Sequence, residues 1–219
     1  MLERKQGIIF DLDGTVLNST EEGKSRFIAI ATMLGLGVDD EITAKAWAMW
    51  GVPAAVMIST CWPHVHPEIF ITAWKEYDRQ NPLPLFSGVK ETLALLAARF
   101  HLSICTSRTG ESTHVQLKSN DIDSLFSFVY TYDNSPAHKP DPESIRLLLE
   151  DYARHGISHR ELVVVGDSVH SDYGLARAVG IEFIALTWGN NSRDDFLAAG
   201  LEGCRILDTI EDLLNLLCP

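Results

Sequence analysis

The chain has 219 residues, of which 46% are hydrophobic, and carries a net charge of −12. That length supports a sizeable core, either as one large domain or as a domain with an insert. The charge argues against a general nucleic-acid or anionic-membrane surface, so an anionic small molecule would have to be met by local cations or a metal. No run approaches the roughly 18 apolar residues of a membrane span. Glu3, Arg4 and Lys5 lead into only three apolar residues before Asp11, unlike a signal peptide. The expectation is a cytoplasmic protein whose four scattered cysteines, Cys61, Cys105, Cys204 and Cys218, are not needed as staples, with Cys105 a buried free thiol.

In chain order, Gly7 to Phe10 predicts the first strand, buried on both faces because its apolar residues are adjacent rather than alternating. It ends in Asp11-Leu12-Asp13-Gly14-Thr15. A surplus of chain follows, far longer than the dozen or so residues of a simple crossover. Its patterns are helical: a capping-box spacing at Ser19-Thr20-Glu21-Glu22, then Glu41 to Trp50, Pro53 to Thr60 and Glu68 to Asp78. Asn81-Pro82-Leu83-Pro84 reads as an extended return linker. Beyond it, strands over Leu102 to Thr106, Phe128 to Thr131, Leu162 to Gly166 and Glu182 to Thr187, with a weaker one over Cys204 to Leu207, alternate with helices. The helices cover Val89 to Phe100, Glu111 to Asn120, Pro142 to His155, Tyr173 to Val179 and Ile210 to Leu217. Asp141 can cap a helix whose first position is Pro142. Alternation of this kind predicts an α/β fold with a doubly wound, mainly parallel sheet. The surplus then forms an inserted helical domain over residues 17–85, against a main domain of residues 1–16 and 86–219.

Open α/β sheets bind ligands beyond the carboxyl ends of their strands. Those ends carry Asp11 and Asp13; then Thr106, Ser107 and Arg108; then Lys139 within His138-Lys139-Pro140-Asp141-Pro142; then Asp167, with Asp172 five positions on. Singly, each has an ordinary explanation as a cap, a helix-start charge or a solvated lysine. Capping does not require acids, a hydroxyl and a lysine in this order after successive strands.

In these residues the chain resembles the haloacid dehalogenase-like hydrolase superfamily. Asp11-Leu12-Asp13-Gly14-Thr15 is similar to its first motif, Thr106 to its second, Lys139 to its third, and Gly166-Asp167 with Asp172 to its fourth. The insert after the first motif resembles the small helical cap of the phosphoglycolate phosphatase and β-phosphoglucomutase branch. Trp188-Gly189 and Leu197-Ala198-Ala199-Gly200 resemble phosphatases of that branch as well.

The resemblance implies a phosphatase acting on a small phosphorylated metabolite, with Mg²⁺ held by Asp11, Asp167 and a loop carbonyl such as that of Asp13. Asp11 would then be the nucleophile and form an aspartyl-phosphate, with Lys139 offsetting charge. Thr106 and Ser107 would hold phosphoryl oxygens, and Asp13 would exchange protons with the leaving group and the attacking water. Asp172 would orient the metal surroundings or Lys139. Dehalogenases of the superfamily lack the acid at the position of Asp13, because a halide leaves without a proton.

Two further readings share these residues: a phosphosugar mutase, and a non-catalytic phospho-acceptor like a response-regulator receiver. Arg108 stands where relatives often continue differently after the second motif. It serves either as a cation for the substrate or as partner to an acid on the rim. In the insert, Trp47, Trp50, Trp62, Phe70, Trp74 and Tyr77 are expected to pack within the cap. Lys24, Arg26 and Lys45 are expected mainly on its solvated surface, with substrate contact as the sharper reading. Cys61, His64 and His66 have a spacing reminiscent of metal ligands, without a fourth partner in sight.

Overall fold

A computed structural model describes residues 5–49 and 54–218. The expected helix starts and ends at Trp50 and Pro53 lie outside the described residues. Among those described, six strands form a single sheet in the order β3-β2-β1-β4-β5-β6, every pairing parallel. They are β1 (Gly7–Phe10), β2 (His101–Cys105), β3 (Phe126–Tyr130), β4 (Leu162–Gly166), β5 (Glu182–Leu186) and β6 (Ile206–Leu207).

The unbroken apolar strands are buried on both sides. Ile9, Cys105, Val164, Phe183 and Ala185 share one core cluster with Leu148, Tyr152, Leu175 and Phe196 from helices. The residues that alternate with them, among them Ile8, Phe10, Ile104, Val163, Val165 and Ile184, are equally inaccessible. Tyr152 reaches under the sheet, where its hydroxyl donates to the His101 carbonyl at 3.0 Å and lies within hydrogen-bond distance, 2.9 Å, of the Ser103 hydroxyl. Gly7 makes room for it, since a Cβ there would lie 2.7 Å from the Tyr152 ring.

Strand order reverses about β1. From β1 the chain passes to β2 and β3 on one side, and β4 then begins the series on the other. The switch therefore lies between the carboxyl ends of β1 and β4, where open sheets bind ligands.

The chain separates into two compact units, Met1–Ser19 with Pro84–Pro219, and Thr20–Leu83. The division falls slightly inside the expected 17–85. Leu17 bridges Leu85, and the Asn18 N–H donates to the Pro84 carbonyl at 2.9 Å, which ties both flanks to the sheet unit.

The second unit holds α1 (Ser19–Met33) beyond its first residue, α2 (Asp40–Ala48), α3 (Ala54–Cys61) and α4 (Pro67–Gln80). Its core is aromatic: Phe27 packs against Trp62 and Phe70 with centroids 5.3 Å away in both cases, and Trp47 meets Phe27 edge-on at 5.6 Å. Arg26, expected at the surface, is instead buried and donates to Asp78 Oδ1 at 2.7 Å. Lys24 and Lys45 are surface residues that face Glu21 and Glu41 on their own helices. Cys61 packs into the aromatic cluster, and it forms no metal-type group with His64 and His66 among the described residues.

In the sheet unit the helices are α5 (Val89–Ala97), α6 (Gly110–Ser119), α7 (Arg146–Arg154), α8 (Gly174–Val179), α9 (Arg193–Ala198) and α10 (Asp212–Leu217). The single helix expected from Pro142 to His155 is two pieces, a tight turn over Pro142–Ile145 and then α7. Asp141 caps the first piece as anticipated, accepting from the Glu143 N–H. Cys204 belongs to a turn over Gly203–Arg205 rather than to the last strand.

Removing one partner of the buried Arg26–Asp78 pair strands a charge, at a typical cost of about 3–5 kcal/mol. Asp78→Ala should therefore lower unfolding free energy in chemical denaturation by roughly that amount. Arg26→Met combined with Asp78→Leu should recover most of the loss. An Asp78→Ala protein as stable as the original would show that the pair is not closed in solution.

Candidate active site at the strand switch point

Asp11 follows β1, and its N–H still bonds the Val165 carbonyl at 2.9 Å, which extends the β1–β4 ladder by one residue. Asp167 follows β4 after Gly166. Asp172 lies in a wide π-type turn over Val169–Tyr173 that precedes α8 and brings its side chain back toward the strand end. Carboxylate oxygens of Asp11, Asp167 and Asp172 lie within 4.8 Å of one another, and all three residues are buried. The Lys139 side chain is buried with them, 5% exposed, its ammonium donating to Asp11 Oδ1 and to Asp172 Oδ1 at 2.6 Å each. The other oxygen of Asp172 accepts from the Ser168 N–H at 3.1 Å.

The sheet unit holds Asp167 firmly. Thr15 donates its hydroxyl to Oδ1 at 3.0 Å, and Asn190 donates both its backbone N–H and its side-chain amide to Oδ2 at 2.7 Å. Gly14, at φ +77°, and Gly189 pass so close that a Cβ on either would sit 2.3 Å and 2.1 Å from Asp167 Oδ2. Side chains are excluded there for the sake of the carboxylate. The Trp188 indole donates to the Thr15 carbonyl at 3.3 Å, tying the loop after β5 to the loop after β1.

Burial dominates the proton affinities. It raises the Asp11 carboxyl well above the ordinary range, with Asp172 and Asp167 adding repulsion and Lys139 partly offsetting them. Asp167 is pushed up to about 6 by burial and by Asp172. For Lys139, burial opposes the charge, but Asp11 and Asp172 outweigh it and raise its pKa. Three neighbouring carboxylates against one ammonium leave negative charge that a divalent cation would balance. The donors are all oxygen, as a hard cation requires.

Asp13 does not join this group by its side chain. It is clamped by Arg108, whose Nε donates to Oδ2 at 2.9 Å and whose Nη2 donates to Oδ1 at 2.6 Å. Burial would raise its carboxyl, but the Arg108 charge prevails and holds it below the usual range. Of the two uses open to Arg108 in the sequence, the structure displays the pairing with an acid. Thr106 is buried at the end of β2, its Oγ1 accepting from the Arg108 N–H at 3.1 Å, while Ser107 is exposed between them.

Asn190 and Ser112, the latter a partner of Arg108, were not among the sequence candidates. Asn190 follows β5, so extending the survey of strand ends by one strand would have reached it.

The model of the haloacid dehalogenase-like hydrolase family matches residues 8–186. A phosphoglycolate phosphatase from Synechococcus elongatus is 30% identical over 212 residues, covering 96% of each chain. The pyrophosphatase PpaX of Oceanobacillus iheyensis is 24% identical, covering 95% of each. In fold, the chain resembles a crystal structure of YfnB from Bacillus subtilis bound to magnesium, with TM-score 0.81, 13% identity and coverage of 99% of this chain and 100% of that one. No described helix is long and apolar enough to cross a membrane.

The raised Asp167 carboxyl fixes a pH dependence. A group that holds its proton more tightly in the folded state stabilises the fold fully below its unfolded pKa, about 3.9, and loses that contribution as pH climbs through its folded value. With chelator present, the thermal midpoint should fall as pH rises from about 4 through 6. Asp167→Asn should flatten that fall, and a divalent cation should raise the midpoint at neutral pH in the unsubstituted chain more than in the variant. Superimposable pH curves for the two proteins would contradict the assignment.

Proposed function

The chain belongs to the haloacid dehalogenase-like hydrolase family, and from that premise we propose that it is a Mg²⁺-dependent phosphatase of a small phosphomonoester, working through an aspartyl-phosphate on Asp11. The observation that carries this reading is the buried group of Asp11, Asp167, Asp172 and Lys139 at the switch between β1 and β4.

Asp11 and Asp167 would hold Mg²⁺, with the Asp13 carbonyl as a further oxygen; the magnesium in YfnB, a chain of the same fold, accords with this choice. When bound, the ion supplies positive charge against the site's carboxylates and the oxygens of the phosphoryl group.

The chain's own residues supply the rest. The Asp11 carboxylate attacks phosphorus, and the Asp11 oxygen–phosphorus bond forms as the ester bond breaks. Lys139 fixes the Asp11 carboxylate through Oδ1 and keeps an anionic nucleophile compatible with an anionic ester. Asp172 in turn secures Lys139 and the Ser168 N–H, so its part is to keep that lysine in place. Thr106, with Ser107 beside it at the end of β2, would receive phosphoryl oxygens. Asp13 gives a proton to the departing alkoxide and takes one from the water that cleaves the intermediate.

The relatives named as phosphoglycolate phosphatase and pyrophosphatase favour a small, strongly anionic substrate, phosphoglycolate-like or a sugar phosphate. The helical unit is proposed as the substrate-selecting cap.

A screen of phosphorylated metabolites, reading phosphate release with Mg²⁺ and with chelator, tests the reading. Asp11→Asn should abolish release while the fold persists. Asp13→Asn should slow it at least about 10²-fold, the lower range for an acid–base catalyst. Phosphoryl transfer to a sugar in place of phosphate release would make the protein a mutase, and turnover that survives in Asp11→Asn would end the covalent scheme.

A further inference from the structure

Arg108 is the residue of the strand ends that the scheme above leaves without a task. Its guanidinium forks onto both oxygens of Asp13, and its Nη1 donates to Ser112 Oγ at 2.8 Å in the first turn of α6. The backbone beneath is pinned from several sides. The Thr106 N–H donates to the Tyr130 carbonyl and the Tyr132 N–H to the Arg108 carbonyl, both at 2.9 Å, and the Gly110 N–H donates to Asp133 Oδ2 at 2.6 Å. The side chain is 15% exposed and the Asp13 carboxylate 35%, so the pair stands at the edge of the site, reachable by a ligand. An arginine held this way fixes a plane, because its fork is rigid; a lysine at the same point would fix only a distance.

Asp13 needs such a constraint. It precedes a glycine at positive φ, and the Lys139 ammonium, which donates to Asp11 and Asp172, is a second cation of the same site. A carboxylate drawn to Lys139 would dilute the charge that Lys139 shares with Asp11 and Asp172. It would also leave the position from which a leaving oxygen can be reached.

We infer that Arg108 is a positioning residue for the proton transfers of Asp13: its fork sets the plane of that carboxyl group and keeps it apart from Lys139. The inference rests on the phosphatase reading. In the first step the ester P–O bond breaks, the Asp11–phosphorus bond forms, and the proton of Asp13 passes to the departing oxygen. In the second, water adds its oxygen to phosphorus and its proton to Asp13 as the Asp11–phosphorus bond breaks, releasing phosphate. Both Asp13 oxygens accept from Arg108 in the structure, so a protonated Asp13 requires one of the two contacts to open.

The test uses the leaving group. An alkyl phosphate such as glycerol phosphate needs a proton to leave, whereas p-nitrophenyl phosphate does not, and kcat/KM reports the step that forms the phosphoenzyme. In Arg108→Gln the ratio of kcat/KM on the alkyl ester to that on the aryl ester should fall about tenfold or more, the scale of a misplaced catalytic group. Arg108→Lys should fail to restore the ratio, and either change should add little once Asp13→Asn is present. Circular dichroism and the thermal midpoint establish that each variant is folded; if Arg108→Gln does not fold, Arg108→Lys carries the comparison. Equal losses on both esters with a raised KM would overturn the inference by making Arg108 a phosphate ligand. An unchanged ratio, or full additivity with Asp13→Asn, would overturn it as well. Failure of the underlying reading looks different: the unsubstituted protein would then hydrolyse neither ester with Mg²⁺.

Discussion

The Lys139 ammonium, buried between the carboxylates of Asp11 and Asp172, is the contact on which the arrangement of the site depends. Burial alone would strip such a group of its charge and would protonate the acids around it. Each keeps its function only because the other is present. Even so, the balance is incomplete: Asp167 joins the same cluster without a cation of its own and relies on hydrogen bonds from Thr15 and Asn190. Such a site is electrostatically unfinished in the chain alone. That condition suits a protein whose ion and substrate arrive from solution with opposite charges.

The sheet delivers this arrangement through register. Gly7 to Phe10 pair in parallel with Leu162 to Val165, so the residues just past both strands come out side by side. No side chain has to bend far to meet its partners. Glycines then shape the surroundings: Gly14 and Gly189 let loop backbone close over Asp167 at distances no other residue would allow. The two cations are divided between different acids, Lys139 serving Asp11 and Asp172, Arg108 serving Asp13. That division separates the groups proposed for attack on phosphorus from the group proposed for proton transfer.

Much of this was legible in the sequence because its signals are local. An apolar run without alternation reports a strand buried on both faces, and Asp11 or Asp167 directly after such a run reports a strand end. Long-range pairings left no such trace. Arg26 reads as a surface charge on a helix until Asp78, 52 positions away, is found to hold it. Arg108 could have faced a ligand or an acid, and only the meeting of two loops 95 residues apart shows which. The wide turn that carries Asp172 has no sequence signature of its own; an ordinary helix start would have placed that carboxylate elsewhere. Asn190 was hidden for another reason, since amides in turns are common and most of them only shape the backbone.

The central strand also has a history. β1 is the earliest strand of the sheet to leave the ribosome, yet its neighbours begin at His101 and Leu162. Until the first of these emerges, Ile8, Ile9 and Phe10 have no sheet to enter. The intervening helices, with an aromatic core of their own, can meanwhile gather into a folded body. During synthesis β1 therefore has no strand to pair with until β2 has emerged, and for that interval its apolar edge stays unpaired.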